Sequence, residues 1–375
     1  MNQANQSTVT VSGFGACTPL GSNWKTTRDR LYAGRTGYQR ETLNGTETCF
    51  GRADIETDTD SPRYVQLAYQ AIEDLKNSYR IPSEGALGLV ATSSKGGLGQ
   101  PIPETITGSE NPGVWSAELS GELPGLTRTS TPNTACATGL SALIHAGRWV
   151  ADGAVDHAVV VASESCFHPT LLAGYQNLKV LCDENGMRPF HPERSGFALS
   201  EGAAAVHLCS ESFRKEQGLE RQGTLLGWGE TCDAHHMTRM KTDGSEVTRA
   251  IDLSLEQADI DRSMVDLLHA HLTTTETNDT MESRLLETWI DYPVLQGIKP
   301  AVGHTIGAAG LLEVIAVLTS LKTGRPFPLP TADRNHFPNK ALHPENNAPS
   351  SLSVGLSWNM GFGGHNAAAV FGREQ

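Results

Sequence analysis

Two stretches of this chain are apolar on most sides of a helix, which constrains its fold more than any other feature. In the first, from about 136 to 152, Leu140, Leu143, Ile144, Gly147 and Ala151 recur at helical spacing, and Gly153 supplies the stop. The second follows His304 and runs through Leu311, Leu312, Ile315, Leu318 and Leu321. Gly324 closes it, with Pro326 and Pro328 behind. Helices of this kind belong at the centre of a molecule, covered on all sides. The cover is supplied by short apolar runs that read as strands at 8–11, 87–91, 158–162, 203–208, 223–227, 267–272, 351–356 and 366–371. Strands alternating with helices make this an α/β chain.

The two helices share a layout. Each begins just after a reactive side chain (Cys136, His304), carries a Gly/Ala-rich first turn and ends at glycine after a similar length. Strand-like segments with glycine bends, TVTVSGFGA and TLLGWGET, open the two halves. This reads as duplication of one βαβ-type unit, with two ordinary buried helices an equal alternative. Regions 40–62 and 105–130 read as surface insertions, and 332–350 as a Pro/Asn-rich loop.

Charge and cysteine usage narrow the function classes. A net charge of −13 over 375 residues opposes sequence-independent binding to nucleic acid or an anionic membrane. No uninterrupted apolar stretch reaches the ~18 residues of a membrane span, and MNQANQSTVTVSGFGAC lacks the pattern of a secretory signal. Seven cysteines with no CxxC pair predict free thiols in a reducing cytoplasm. Metal-spaced Cys/His clusters and a Gly-x-Gly-x-x-Gly turn after a strand are both missing, so no resident metal or redox cofactor is predicted.

Three segments carry chemistry. Cys136 lies in NTACATG, directly before a helix, where the positive end of the macrodipole favours thiolate. His271 ends an apolar run and is followed by hydroxyl residues, while His304 lies between Gly303 and Thr305 at a helix start. Taken singly, each is more often a packed thiol or a satisfied histidine. Together they supply the thiol and the base that nucleophilic catalysis draws from distant segments. The turn Asn359-Met360-Gly361-Phe362-Gly363-Gly364-His365-Asn366 brings backbone N–H groups close to a substrate oxygen, as an oxyanion hole requires, unless it is a plain hairpin turn.

Spread over most of the chain, these segments resemble the elongating β-ketoacyl-acyl-carrier-protein synthases, condensing enzymes of the thiolase fold. The likeness is carried by TVTVSGFGACTPLG, NTACATG, RPFHPERSGFALSEGA, GWGETCDAHHMT, HAHLTTTETND, KPAVGHTIGAAGLLE and NMGFGGHNA, in that order. It implies two similar halves in five layers (αβαβα) with mixed sheets, 1–215 carrying the nucleophile and 216–375 the histidines and the glycine turn. It implies Cys136 as acylated nucleophile and His271 with His304 as the pair that activates the thiol and stabilises the enolate left by decarboxylation of a malonyl thioester. Lys299 holds that network's charge, and Glu313 supports it. The N–H groups of Cys136 and Phe362 form the oxyanion hole, the Phe362 ring gates the acyl pocket beside Met360, and Thr273 and Thr275 bind the phosphopantetheine arm. No cofactor is bound; substrates ride on acyl carrier protein. The implied assembly is a cytoplasmic homodimer, or a heterodimer with a second ketosynthase-like subunit.

Three departures stand out: Leu272 in place of the usual glycine, predicted to crowd the pantetheine channel; Met360 in place of phenylalanine; and a short 97–134 segment. The early region ADIETDTDSPR is acidic where the family is basic, which leaves Arg63, Arg188, Arg239 and Lys241 as candidate docking cations. Two other readings stay open: a partner subunit that sets chain length with little condensing activity of its own, and a Cys–His hydrolase.

Overall fold

The computed structural model describes residues 7–56, 61–96, 116, 119–238, 240–289, 293–339, 342–343 and 351–373. Ten strands hydrogen-bond in one continuous order. The first five are β1 (Val9–Cys17), β4 (Leu87–Thr92), β5 (Leu126–Ser130), β6 (His157–Glu164) and β8 (Gly202–Ser210). The second five are β9 (Gly223–Cys232), β10 (Leu267–His269), β11 (Val294–Gln296), β12 (Val354–Gly361) and β13 (His365–Gly372). From the outer edge inward the sets run β5-β4-β6-β8-β1 and β11-β10-β12-β13-β9, the same permutation of chain order twice. In each set the last strand runs antiparallel to its neighbours, and the sets join where Val9–Val11 pairs antiparallel with 223–225. Central strands such as HAVVVASE and GAAAVHLCS are buried along their whole length, the continuous apolar runs that sheets covered on both faces require.

Helices cover those faces. Thr138–Ala151 and Ala309–Thr323 lie between the two sets of strands and pack on each other. Arg63–Ser78 covers β1, β6 and β8 from outside, and Ser245–Ala258 covers β9 and β13. The order is helix, sheet, helix, sheet, helix. Over 306–323 the mean hydropathy reaches 1.5, enough by length and composition to cross a membrane, but 89% of that stretch is buried inside the protein. It is the central helix of the core.

The central crossing rests on two glycines. A Cβ on Gly139 would fall 2.7 Å from the Leu311 amide nitrogen, and one on Gly310 would fall 2.6 Å from the Leu140 amide nitrogen and 2.4 Å from Asn359 Oδ1. The contact is reciprocal: each helix offers a glycine to the leucine that follows the other's glycine. It aligns Ala135-Cys136-Ala137-Thr138-Gly139-Leu140 with Ile306-Gly307-Ala308-Ala309-Gly310-Leu311, and each stretch is entered through a residue of positive φ, 54° at Ala135 and 46° at Ile306. The counterpart of Cys136 is therefore Gly307. The pairing of Cys136 with His304 drawn from sequence is corrected. Gly310→Ala is expected to destabilise the protein by about 1–3 kcal/mol, the range for overpacking a tight core, as read by urea denaturation.

Other expectations also change. Within 40–62, residues 39–51 form a hairpin of β2 (Gln39–Leu43) and β3 (Thr46–Gly51) around Asn44-Gly45, both at positive φ, and β3 pairs with β7 (Leu199–Ser200). Within 105–130, Leu126–Ser130 is an edge strand. The strand expected over 267–272 stops at His269. Most of 97–118 and of 340–350 lies outside the described residues.

Candidate active site

Cys136 sits in the 3-10 turn Ala135–Ala137 that leads into the Thr138–Ala151 helix. Entering through a non-glycine residue in the left-handed region costs roughly 1–2 kcal/mol, so side chains must hold the turn. Asn133 does so twice: its Oδ1 accepts from the Ala135 N–H at 3.1 Å and its Nδ2 donates to the Ser94 carbonyl at 2.9 Å. Thr138 Oγ1 accepts from the Thr134 N–H at 2.9 Å. Gly361, at the end of β12, lies against the same turn. A Cβ there would meet the Thr134 carbonyl oxygen at 2.3 Å and the Cys136 nitrogen at 3.1 Å, so only glycine fits. The next amide, Phe362 N–H, donates to the Cys136 sulfur.

A cavity of roughly 660 Å³ opens from this point, lined by Cys136, His271, Thr273, Thr275, His304 and Phe362, with Met360 in the wall. The structure thus brings together seven of the nine residues singled out from sequence. Lys299 and Glu313 are buried and reach the site through His271.

That connection fixes a tautomer. Lys299 Nζ, which can only donate, lies 3.2 Å from His271 Nδ1, and Asn359 Nδ2 lies 3.2 Å from the same nitrogen. The Glu313 carboxylate accepts from Lys299 Nζ and, at 2.6 Å, from Asn359 Nδ2. His271 Nδ1 is therefore an acceptor, and the ring proton sits on Nε2. At His304 the Ile306 N–H donates to Nδ1 at 3.3 Å, so its proton also sits on Nε2, a buried atom with no hydrogen-bond partner among the described residues. The two rings stand 5.8 Å apart, edge to face. Two neutral N–H donors result, one of them waiting for an acceptor.

Burial sets the charges. It pushes both imidazoles well below their ordinary value, and the Lys299 ammonium pushes them further down. Burial also raises the Cys136 thiol, with Lys95 and then Lys299 pulling it back. Burial thus opposes the thiolate that the helix start favours. Glu313 is likewise pushed up by burial, against the pull of Lys299. Removing Lys299 leaves that carboxyl without its cation in a dry interior, so Lys299→Met is expected to cost about 3–5 kcal/mol. Lys299→Met with Glu313→Gln is expected to recover most of this, in denaturant melts.

Three supporting residues escaped the sequence reading. Asn359 bridges Glu313 and His271. Glu164, at the end of β6, accepts from Ser93 Oγ at 2.8 Å, the Ser94 N–H at 2.8 Å and the Gly307 N–H at 3.3 Å, tying the β4 end to the turn opposite Cys136. Glu282 accepts the His271 and Leu272 N–H groups at 2.7 and 2.8 Å and Trp358 Nε1 at 2.7 Å.

Leu272 does not crowd the channel. At φ 45° and fully buried, it turns into the core against Gly297. The Glu282 carboxylate holds the strained backbone from both sides of the His271–Leu272 peptide. The docking cations fare unevenly. Arg63 is committed to Glu201 at 2.7 Å, and Arg188 lies between Asp183 and Glu193. Lys241 is partly exposed beside Asp243, and Arg239 lies outside the described residues.

Comparison with known proteins agrees with this geometry. Residues 88–213 match the family described as "Beta-ketoacyl synthase, N-terminal domain" and residues 222–331 its "C-terminal domain". A 3-oxoacyl-[acyl-carrier-protein] synthase 2 of Synechocystis sp. is 26% identical and covers 98% of each chain. Among solved structures, a type II polyketide ketosynthase in complex with its acyl-carrier protein superposes with a TM-score of 0.84 at 22% identity, covering 98% of this chain and all of the other. A ketosynthase of Xenorhabdus doucetiae in complex with its chain length factor superposes at 0.77 with 23% identity over the whole of both chains. The thiolase-like layering, the thiol at a helix mouth and the two matched domains lead to one assignment: the chain belongs to the β-ketoacyl synthase family.

Proposed function

We propose that this protein extends an acyl chain by decarboxylative Claisen condensation, with Cys136 as the residue that carries the acyl group. The observation that carries the reading is the single cavity shared by Cys136, His271 and His304, with their ring tautomers fixed from behind. An acyl thioester on a carrier protein transfers to Cys136 Sγ: the new S–C bond forms as the carrier's thioester S–C bond breaks, and the Cys136 thiol proton ends on the departing carrier sulfur. The developing oxyanion is held by the Phe362 N–H and by the Cys136 N–H, an amide of the first turn with no intrahelical acceptor. A malonyl thioester then enters. Its C–C bond breaks, CO2 leaves, and the thioester oxygen takes the enolate charge between the Nε2–H groups of His271 and His304. The enolate carbon attacks the acyl carbonyl and the Cys136 thiolate departs. Neutral donors suit this step because they gather charge without first surrendering a proton.

Thr273 and Thr275, with hydroxyls 3.1 Å apart at the cavity wall, hydrogen-bond the phosphopantetheine arm. Lys179, exposed at the mouth, makes no ion pair among the described residues and is placed to meet the arm's phosphate. Acyl carrier protein is the substrate carrier. The chain works as a cytoplasmic dimer, with a second copy or a ketosynthase-like partner, and 1–215 and 216–375 are its two repeats. No bound cofactor takes part.

The test is incubation with an acyl-carrier-protein thioester and malonyl carrier protein, following acylation by mass spectrometry and CO2 release. Product forming with this chain alone supports the reading. Product formed only through a partner's own cysteine, with Cys136 unmodified, would transfer the activity to that partner.

The pH profile adds a check. Because both imidazoles are held below their ordinary value, they stay neutral as pH falls through the usual histidine range. Decarboxylation by the Cys136→Ala variant is expected to stay flat from about pH 8 to about pH 6, and an inflection near about 6.5 would contradict the burial argument.

A further inference from the structure

We propose that His191, Asp333 and His336 form a binding site for one divalent transition cation of the zinc class, apart from the cavity that holds Cys136. One potential ligand atom from each residue lies within 4.8 Å of the other two. The two imidazole rings meet edge to face with centroids 4.6 Å apart, and His336 Nδ1 lies 3.3 Å from Asp333 Oδ2. All three residues are half-buried.

Existing hydrogen bonds leave at least one ligand atom on each side chain. Asp333 Oδ1 caps the short turn Arg334–His336 by accepting the Asn335 N–H at 2.8 Å, which leaves Oδ2 facing His336. His336 Nδ1 is buried, with Asp333 Oδ2 as its near neighbour and no hydrogen bond that meets the geometry among the described residues. His191 Nδ1 accepts the Glu193 N–H at 3.1 Å, leaving Nε2. Coordination through that Nε2 moves its proton to Nδ1 and releases the Glu193 amide, which lies where water can take it over.

The donor set selects the ion. Two imidazoles and one carboxylate favour zinc-class cations over magnesium or calcium, which prefer all-oxygen sites. Three protein ligands leave a position for water. Bonds of about 2.0–2.2 Å draw the ligand atoms in from their present spacing. The atoms stand on two irregular segments rather than on sheet or long helix, so this closure is local.

A cation here would tie the 188–196 loop to the 333–337 turn. Phe190 and Phe337 already meet edge to face at 5.3 Å between these segments. The Phe190 N–H donates to Asp279 Oδ2 at 2.8 Å, on the helix that follows Thr275. The site is thus a fastening beneath the arm-binding loop, drawn from residues too far apart in sequence to form a recognisable motif.

The test uses the full chain in a Cys136→Ala background, stripped with chelator, so that the cavity thiol cannot compete. Co2+ is titrated by visible absorption, and Zn2+ by calorimetry and thermal melting. We expect one equivalent to bind, a raised melting temperature with Zn2+ and none with Mg2+. His191→Ala and His336→Ala, each checked for native circular dichroism, are expected to weaken binding by at least about 100-fold. Absence of binding, or affinity unchanged in both variants because surface histidines such as His235 and His236 hold the metal, would overturn the proposal.

Discussion

Replacing Cys136 with alanine is expected to abolish acyl-enzyme formation and chain extension while leaving malonyl decarboxylation in place. Cys136 is the one thiol among the described residues that line the cavity. The two Nε2–H donors are positioned by Lys299, Asn359 and the Ile306 amide, none of which leans on the sulfur. The two half-reactions should therefore separate. Intact-protein mass spectrometry after exposure to an acyl thioester reads the first, and CO2 release from malonyl carrier protein the second. An adduct that persists in Cys136→Ala, on the exposed Cys232 for example, would remove Cys136 from its role.

His304→Ala should give the opposite split. Losing one of two preorganised donors to a developing oxyanion costs on the order of 10²–10³ in rate. Decarboxylation should fall by about that factor, while acylation of Cys136 stays within about tenfold, because its oxyanion is held by backbone amides. His304→Asn, which restores an N–H donor near the same place, should recover part of the loss. Equal losses in acylation and decarboxylation would mean that His304 shapes the cavity and donates to neither charge.

Much of this was legible in the sequence, for a definite reason. Cys136, His271, His304 and the glycine turn each sit among neighbours chosen by backbone geometry, so their segments carry recognisable patterns. Their supporters do not. Glu282 lies on a helix rich in polar residues and reads as a surface carboxylate, and Glu164 reads as the polar end of a strand. Asn359 was in plain view, but only its register in β12 points it at Glu313. Leu272 shows its bulk in the sequence but not its direction: its positive φ turns the side chain into the core. The hairpin at 39–51 is marked by Asn44-Gly45, a strong two-residue turn signal set amid polar composition that reads as a surface insertion.

The paired glycines at the central crossing have a consequence for catalysis. The sulfur rides at the head of one helix, and Glu313, which steadies Lys299 and through it His271, rides on the other, three residues beyond Gly310. Where the helices meet, main chain touches main chain and no compressible side chain intervenes. The crossing therefore works as a fixed gauge between the Cys136 sulfur and the two imidazoles, and under the proposed reaction loop changes around the mouth would alter what is accepted without altering the spacing at which it reacts.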